Sequence, residues 1–228
     1  MIPNRRLILP YFAPYFAYVS IASIPASYIS IEVNYILRIA IVTILIVWAW
    51  RWYVPIRGPQ SPLISIGFGI GAGLLGTVIW ILFLYPFIHL RDNQPWSDSA
   101  FILRFFSTGF LVPVFEEILM RGFILRFALQ LDDARKKRKN EPLHVVMDER
   151  SINKVAPGAW TWPAVAISTI AFTVGHHYHE WPASVAFGLL MSWLWISRKD
   201  LIACIVAHAV TNIALALYVF KTGNWNFW

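Results

Sequence analysis

The sequence predicts an all-α protein, a multi-pass transmembrane helical bundle of about seven spans, on three observations. Of 228 residues, 58% are hydrophobic and 14% charged, too little polar surface to cover a soluble globule. The hydrophobic residues gather into runs of roughly 20, the length that crosses about 30 Å of hydrocarbon at 1.5 Å rise per residue. A run isolated in lipid must satisfy its own backbone hydrogen bonds, which makes each one a helix. With no Ser/Gly-rich linker and no internal repeat, one membrane domain over 1-228 is expected.

The first expected span, 9-31, follows Arg5 and Arg6. Its apolar stretch runs on past Pro10, Pro14 and Pro25, so it reads as a retained span and not as a secretory leader. The second, 33-54, and the third, 63-89, complete an N-terminal part, about 1-97, with no assigned role. Gly67, Gly69, Gly71, Gly73 and Gly76 give the third span overlapping small-xxx-small spacings that admit a close neighbour. The fourth span, 100-130, is followed by the long polar stretch Asp132 to Pro157, expected to be a solvated and partly mobile cytoplasmic loop. The last three are 158-176, 182-197 and 201-220.

Seven crossings put Arg5/Arg6, Arg51/Arg57, the run Arg135 to Lys139 and Arg198/Lys199 on one side, and that side is the cytoplasm. Glu32, the segment Arg91-Asp92-Asn93-Gln94, the His-rich turn after Gly175 and the tail Lys221 to Trp228 fall opposite, so the N-terminus is inside and the C-terminus outside. The net charge of +7 is spread over these short loops, which argues for membrane orientation and against a nucleic-acid partner. Trp48, Trp50, Trp52, Trp96, Trp160, Trp162, Trp225 and Trp228 lie near span ends, as interfacial anchors do. Cys204 is the single cysteine, so no intrachain disulfide forms.

The chemistry concentrates in three spans. Glu116 and Glu117 are adjacent carboxylates about halfway along the fourth, where an ionisable group costs at least a few kcal/mol and marks a partner, a pathway or a site. Arg121 follows Glu117 by four residues, acid before base, the favourable order for an ion pair on one helix face. Glu116 points about 100° away and has no partner in its own span, which leaves it as the free reactive group. Phe172 with His176, and His208 with Asn212, repeat the four-residue spacing, and each pair is expected to share a helix face. At 1.5 Å per residue, Glu116 and His176 lie about 22 to 27 Å from the cytoplasmic side, whereas His208 and Asn212 lie about 10 to 17 Å from it. A tilt or a break near Pro113 is needed to bring all four together.

Taken together, Glu116-Glu117-x-x-x-Arg121, Phe172-x-x-x-His176 and His208-x-x-x-Asn212 resemble the signatures of the CAAX protease and bacteriocin-processing (CPBP, Abi) family of intramembrane glutamic proteases. The resemblance covers roughly residues 100 to 215. It implies a membrane-embedded peptidase in which Glu116 and His176 activate a water, His208 and Asn212 stabilise the oxyanion, and Glu117, Arg121 and Phe172 orient the site. No cofactor and no metal are implied, and the expected partners are the lipid bilayer and a peptide or protein substrate, lipidated or not. Chain length and layout also look like a bacterial subgroup found beside exosortase-type sorting systems, which implies a prokaryotic cytoplasmic membrane.

Three other readings compete. Two histidines and a glutamate are also a zinc set with an open fourth position, but no His-Glu-x-x-His helix is present. A proton- or ion-coupled transporter would use intramembrane Glu, Arg and His as a relay, yet no pair of related halves is visible. A silent scaffold gives no reason for all seven motif positions to be intact.

Overall fold

The computed structural model describes residues 1–90, 94–137 and 140–227, and among these residues there is no strand. The helices are α1 (Asn4–Ala22), α2 (Ile31–Ala49), α3 (Pro62–Leu84), α4 (Asp98–Phe106), α5 (Val112–Glu117), α6 (Leu125–Lys136), the single turn α7 (Pro142–His144), α8 (Trp162–Thr173), α9 (Trp181–Arg198) and α10 (Leu201–Thr222). Side-chain caps start four of them: Ser30 accepts from the Val33 amide, Ser97 from Ala100, Thr161 from Ala164 and Asp200 from Ala203. Each satisfies an amide that the first helical turn leaves without a partner. Ile31–Trp52, Pro62–Leu90 and Leu201–Thr222 are long and apolar enough to cross a membrane, and the chain is an integral membrane protein.

Several element boundaries depart from the sequence reading. α1 stops at Ala22 and leaves Pro25 in the turn before α2, because proline cannot donate to a helix. α4, α5 and α6 form one continuous helical path joined by π-helical turns at Ser107–Leu111 and Ile118–Ile124. α8 has 12 residues, about 18 Å of rise, and ends before Gly175. His176 therefore lies in the following turn and does not share a helix face with Phe172. A side chain at Gly175 would meet the Tyr15 hydroxyl, so α1 and the end of α8 lie close together there.

The glycine stripe of α3 divides between two faces. Added side chains at Gly69 and Gly73 would strike Val206 and Val210 of α10, and one at Gly76 would strike Thr211, whereas Gly67 and Gly71 have nothing nearby. Alternate glycines thus let α10 approach closely while the others face outward. The main core draws Leu7 and Tyr11 of α1, Ala72 of α3, Phe123, Phe187 of α9 and Ala207 of α10 into one cluster, so the N-terminal part shares its core with the last four expected spans.

Part of the segment 132–157 packs against the bundle among its described residues. Val146 and Ile152 are fully buried. The buried Asn4 side chain donates to the Gln130 side chain and to the Val146 carbonyl, both at 2.8 Å, and accepts from the Ile152 amide at 2.7 Å. Gln130 donates to the Ser151 carbonyl. Polar groups buried this way are held because each is satisfied.

Of the expected anchors, Trp50 and Trp162 are exposed, as interfacial residues would be, but Trp96 lines an internal cavity and Trp225 packs against Phe101. Arg91, Asp92, Asn93, Arg138, Lys139 and Trp228 lie outside the described residues.

Candidate active site

Proline shapes the site from within its own helix. In the first π-helical turn the Val112 amide bonds the Ser107 carbonyl, five residues back. The next amide in that register would serve the Thr108 carbonyl, but it belongs to Pro113, which has no N–H. Asn212 of α10 fills the vacancy, donating from Nδ2 to the Thr108 carbonyl at 2.8 Å. The two π turns bracket Pro113; such turns often occur at functional sites.

Glu117 and Arg121 are fully buried and paired, with Arg121 Nη1 3.2 Å from Glu117 Oε2. Arg121 also donates from Nη2 to the Gly188 carbonyl at 2.9 Å, and its guanidinium lies 5.7 Å from the Phe172 ring centre. Glu117 has a second partner: its Oε1 is 3.0 Å from His208 Nδ1. The acceptor at Nδ1 assigns the proton to that nitrogen, so Nε2 is left to face Glu116, whose Oε2 is 3.9 Å away. Glu116, His208, Glu117 and Arg121 thus alternate acid and base along one buried line.

His176 is held by the backbone of its own motif. Its Nδ1 is 2.9 Å from the Phe172 carbonyl, a carbonyl acceptor that puts the proton on Nδ1 and leaves Nε2 with a lone pair. Its ring packs on those of Phe172 and Trp80, at 4.6 and 5.4 Å between centres, and its carbonyl accepts from the Trp181 indole. The rings of Phe172 and Phe187 meet His208 edge-on, so both imidazoles are oriented by aromatic walls.

Glu116, His176, His208 and Asn212 all line one cavity of about 530 Å³. Phe172 lines it as well, while Glu117 and Arg121 stand behind its wall. The first hundred residues contribute Tyr18, Tyr35, Arg38, Trp80 and Trp96, so the cavity does not depend on the last four expected spans alone. Sequence reasoning missed these residues and Thr108. A proline five residues after Thr108 was the available signal for it; Arg38 inside an apolar run was the signal for the N-terminal wall.

Among the described residues no group of three His, Cys, Asp or Glu side chains is placed to hold a metal ion; the Nδ1 atoms of His176 and His208 are taken by the Phe172 carbonyl and the Glu117 carboxylate.

A family model described as type II CAAX prenyl endopeptidase Rce1-like matches residues 98–214, just over half of the chain. No curated protein and no solved structure matches.

Proposed function

The chain belongs to the type II CAAX prenyl endopeptidase Rce1-like family and is a membrane-embedded protease; from that premise we propose that it cleaves its substrate with a water activated by Glu116 and His176. The observation that carries this reading is the unequal use of two adjacent carboxylates. Glu117 is committed to Arg121 and His208, whereas Glu116 opens on the cavity that His176 also lines.

The Glu116 carboxylate takes a proton from the water as its oxygen attacks the scissile carbonyl, with His176 Nε2 accepting the water's other hydrogen bond and fixing its direction. A carboxylate with little water around it accepts a proton more readily than a hydrated one. The carbonyl oxygen becomes an oxyanion. Asn212 spends one Nδ2 hydrogen on Thr108 and has a second to donate to that oxygen. His208 keeps its Nδ1 on Glu117 and turns Nε2 toward the cavity, from which a hydrogen bond can reach the same oxygen. Collapse of the tetrahedral intermediate breaks the C–N bond, and Glu116 returns its proton to the departing amine.

Glu117 and Arg121 are positioning residues: they set the ring of His208 and hold α9 through the Gly188 carbonyl. The substrate is a peptide or protein that reaches the site through the bilayer. Comparative proteomics of membrane-associated peptides from cells with the intact protein and with Glu116→Ala tests the reading. Fragments that appear only with the intact protein are expected. Identical peptide profiles from cells in which both forms are present in the membrane overturn it.

A further inference from the structure

Arg38 of α2 is a buried cation without a counter-charge among the described residues. It lies in the middle of an apolar helix with its side chain only 9% exposed. Its Nε donates to the Asn34 side chain, and its guanidinium stacks over the rings of Tyr35 and Tyr18, at 4.1 and 5.1 Å from their centres. Its Nη1 and Nη2 donate to no group among the described residues. Neither is sealed from the cavity that Glu116, His176 and His208 also line.

A guanidinium taken out of water is costly unless it meets an anion or a full set of acceptors. Two aromatic faces and one side-chain oxygen supply part of that. The planar fork of Nη1 and Nη2, matched in shape to a carboxylate, stays available. Glu117 does not supply the missing charge, because Arg121 answers it, and among the described residues Glu116 lies against His208 and makes no ion pair with Arg38. The surroundings hold the fork still: Asn34 is itself anchored to the Ile21 carbonyl, and the Tyr18 hydroxyl meets Ser107, next to the Thr108 that holds Asn212.

We propose that Arg38 is the specificity residue of a carboxylate subsite in the catalytic cavity, and that it binds an anionic carboxylate of the substrate peptide while Glu116 and His176 act on a nearby peptide bond. The carboxylate is either the peptide's free C-terminus or an acidic side chain close to the cleaved bond. The proposal rests on the protease reading. It adds a selection rule: a peptide with the carboxylate is preferred over the same peptide without it. Arg38 lies outside the segment matched to the family, so this selectivity belongs to the N-terminal part of this chain.

The test uses the full chain in detergent and apolar peptides, with and without a farnesyl group on cysteine. They are made in pairs with a free acid or an amide C-terminus, and with Glu or Gln at each of the last three positions. Cleavage is read by mass spectrometry for the parent, Arg38→Gln and Arg38→Lys. The parent is expected to cleave one carboxylate series with kcat/KM about 10- to 100-fold above its neutral partner, the range of a charge-assisted pair. Arg38→Gln removes that preference, mainly through KM and with a larger loss on the carboxylate peptide than on its neutral partner; Arg38→Lys restores part of it. Whether the acid/amide or the Glu/Gln pair responds identifies the source of the carboxylate. Equal cleavage of both members by the parent, or an equal loss on both in Arg38→Gln, overturns the subsite and leaves the protease standing. No cleavage of any peptide by the parent overturns the protease reading and the subsite with it.

Discussion

His208 Nδ1 lies 3.0 Å from Glu117 Oε1, so the carboxylate that neutralises Arg121 also decides which nitrogen His208 turns to the cavity. One buried acid thereby links the first and third motifs. The arrangement separates two neighbouring glutamates, one held by Arg121 and His208 and the other open to the cavity, although the sequence writes them side by side.

Glu116→Gln and His176→Ala are each expected to lower peptide cleavage by about 100-fold or more, the weight of a general base. Both should leave the protein folded and inserted, because neither side chain ties helices together. Turnover within a few-fold of the parent in either variant would remove that residue from the chemistry. Inhibition by a strong chelator that added zinc reverses would assign the activity to a metal instead.

Arg121→Ala leaves Glu117 facing only His208 and removes the bond to the Gly188 carbonyl. Breaking a buried pair costs about 3–5 kcal/mol, so thermal stability in detergent and the yield of folded protein should both fall. Glu117→Gln with Arg121→Gln should recover part of the stability but not the activity, since His208 loses its anionic partner. A single variant as thermostable as the parent would refute the pairing.

Pro113→Ala restores an amide that competes for the Thr108 carbonyl and releases Asn212. A fall in kcat of about 10-fold or more is expected from such misplacement, with Tm equal to or above that of the parent because a helix-interior proline has been removed. Asn212→Ala should cost about 100-fold in kcat, the usual loss of one oxyanion donor. If Pro113→Ala keeps full kcat, Asn212 is not positioned by that carbonyl.

At the other end of α1, Arg5 makes two bonds to Asp148, at 2.6 and 2.8 Å, and the hydrogen bond from Arg5 holds the Asp148 carboxyl below its ordinary value of 3.8. A depressed acid stabilises the fold above its unfolded pKa and loses that contribution as pH falls through the folded one. The contact is therefore complete at neutral pH and is lost below about pH 4. The pair is solvent-exposed, so global stability should hardly change. Hydrogen-exchange protection of the first turn of α1 should drop at acid pH in the parent, and at neutral pH in Asp148→Asn. Undiminished protection in Asp148→Asn at pH 7 would show that the buried Asn4 bonds hold that end alone.

With seven crossings, the basic residues in the loops are expected to put the polar segment near Asn140 in the cytoplasm and the tail after Lys221 opposite. A reporter active only outside the cytoplasm should work when fused after Trp228 and stay silent when inserted near Asn140. Agreement between the two sites would mean that the crossing number is off by one. α8, too short to span about 30 Å of hydrocarbon by itself, would then be the first element to re-examine.

What the sequence determined by itself was local: lipid-length apolar runs, helices that close their own hydrogen bonds, and the pairing of Glu117 with Arg121 four residues on. Those depend on rise per residue and turn angle, which neighbouring positions set. It also carried the three motifs that named the candidate residues. Tertiary structure decided the rest. Phe172 and His176 meet through a carbonyl because α8 ends before Gly175. Asn212 reaches Thr108 because α10 crosses the helical path where Pro113 withholds an amide. Val146 and Ile152 are buried because Asn4, more than a hundred residues earlier, satisfies the backbone around them. Arg38 reads as an interruption of an apolar run until packing places it in the same cavity as Glu116. Helix crossing angles and the close approach allowed by Gly69, Gly73 and Gly76 bring these groups together, and no spacing within one helix encodes a meeting between two.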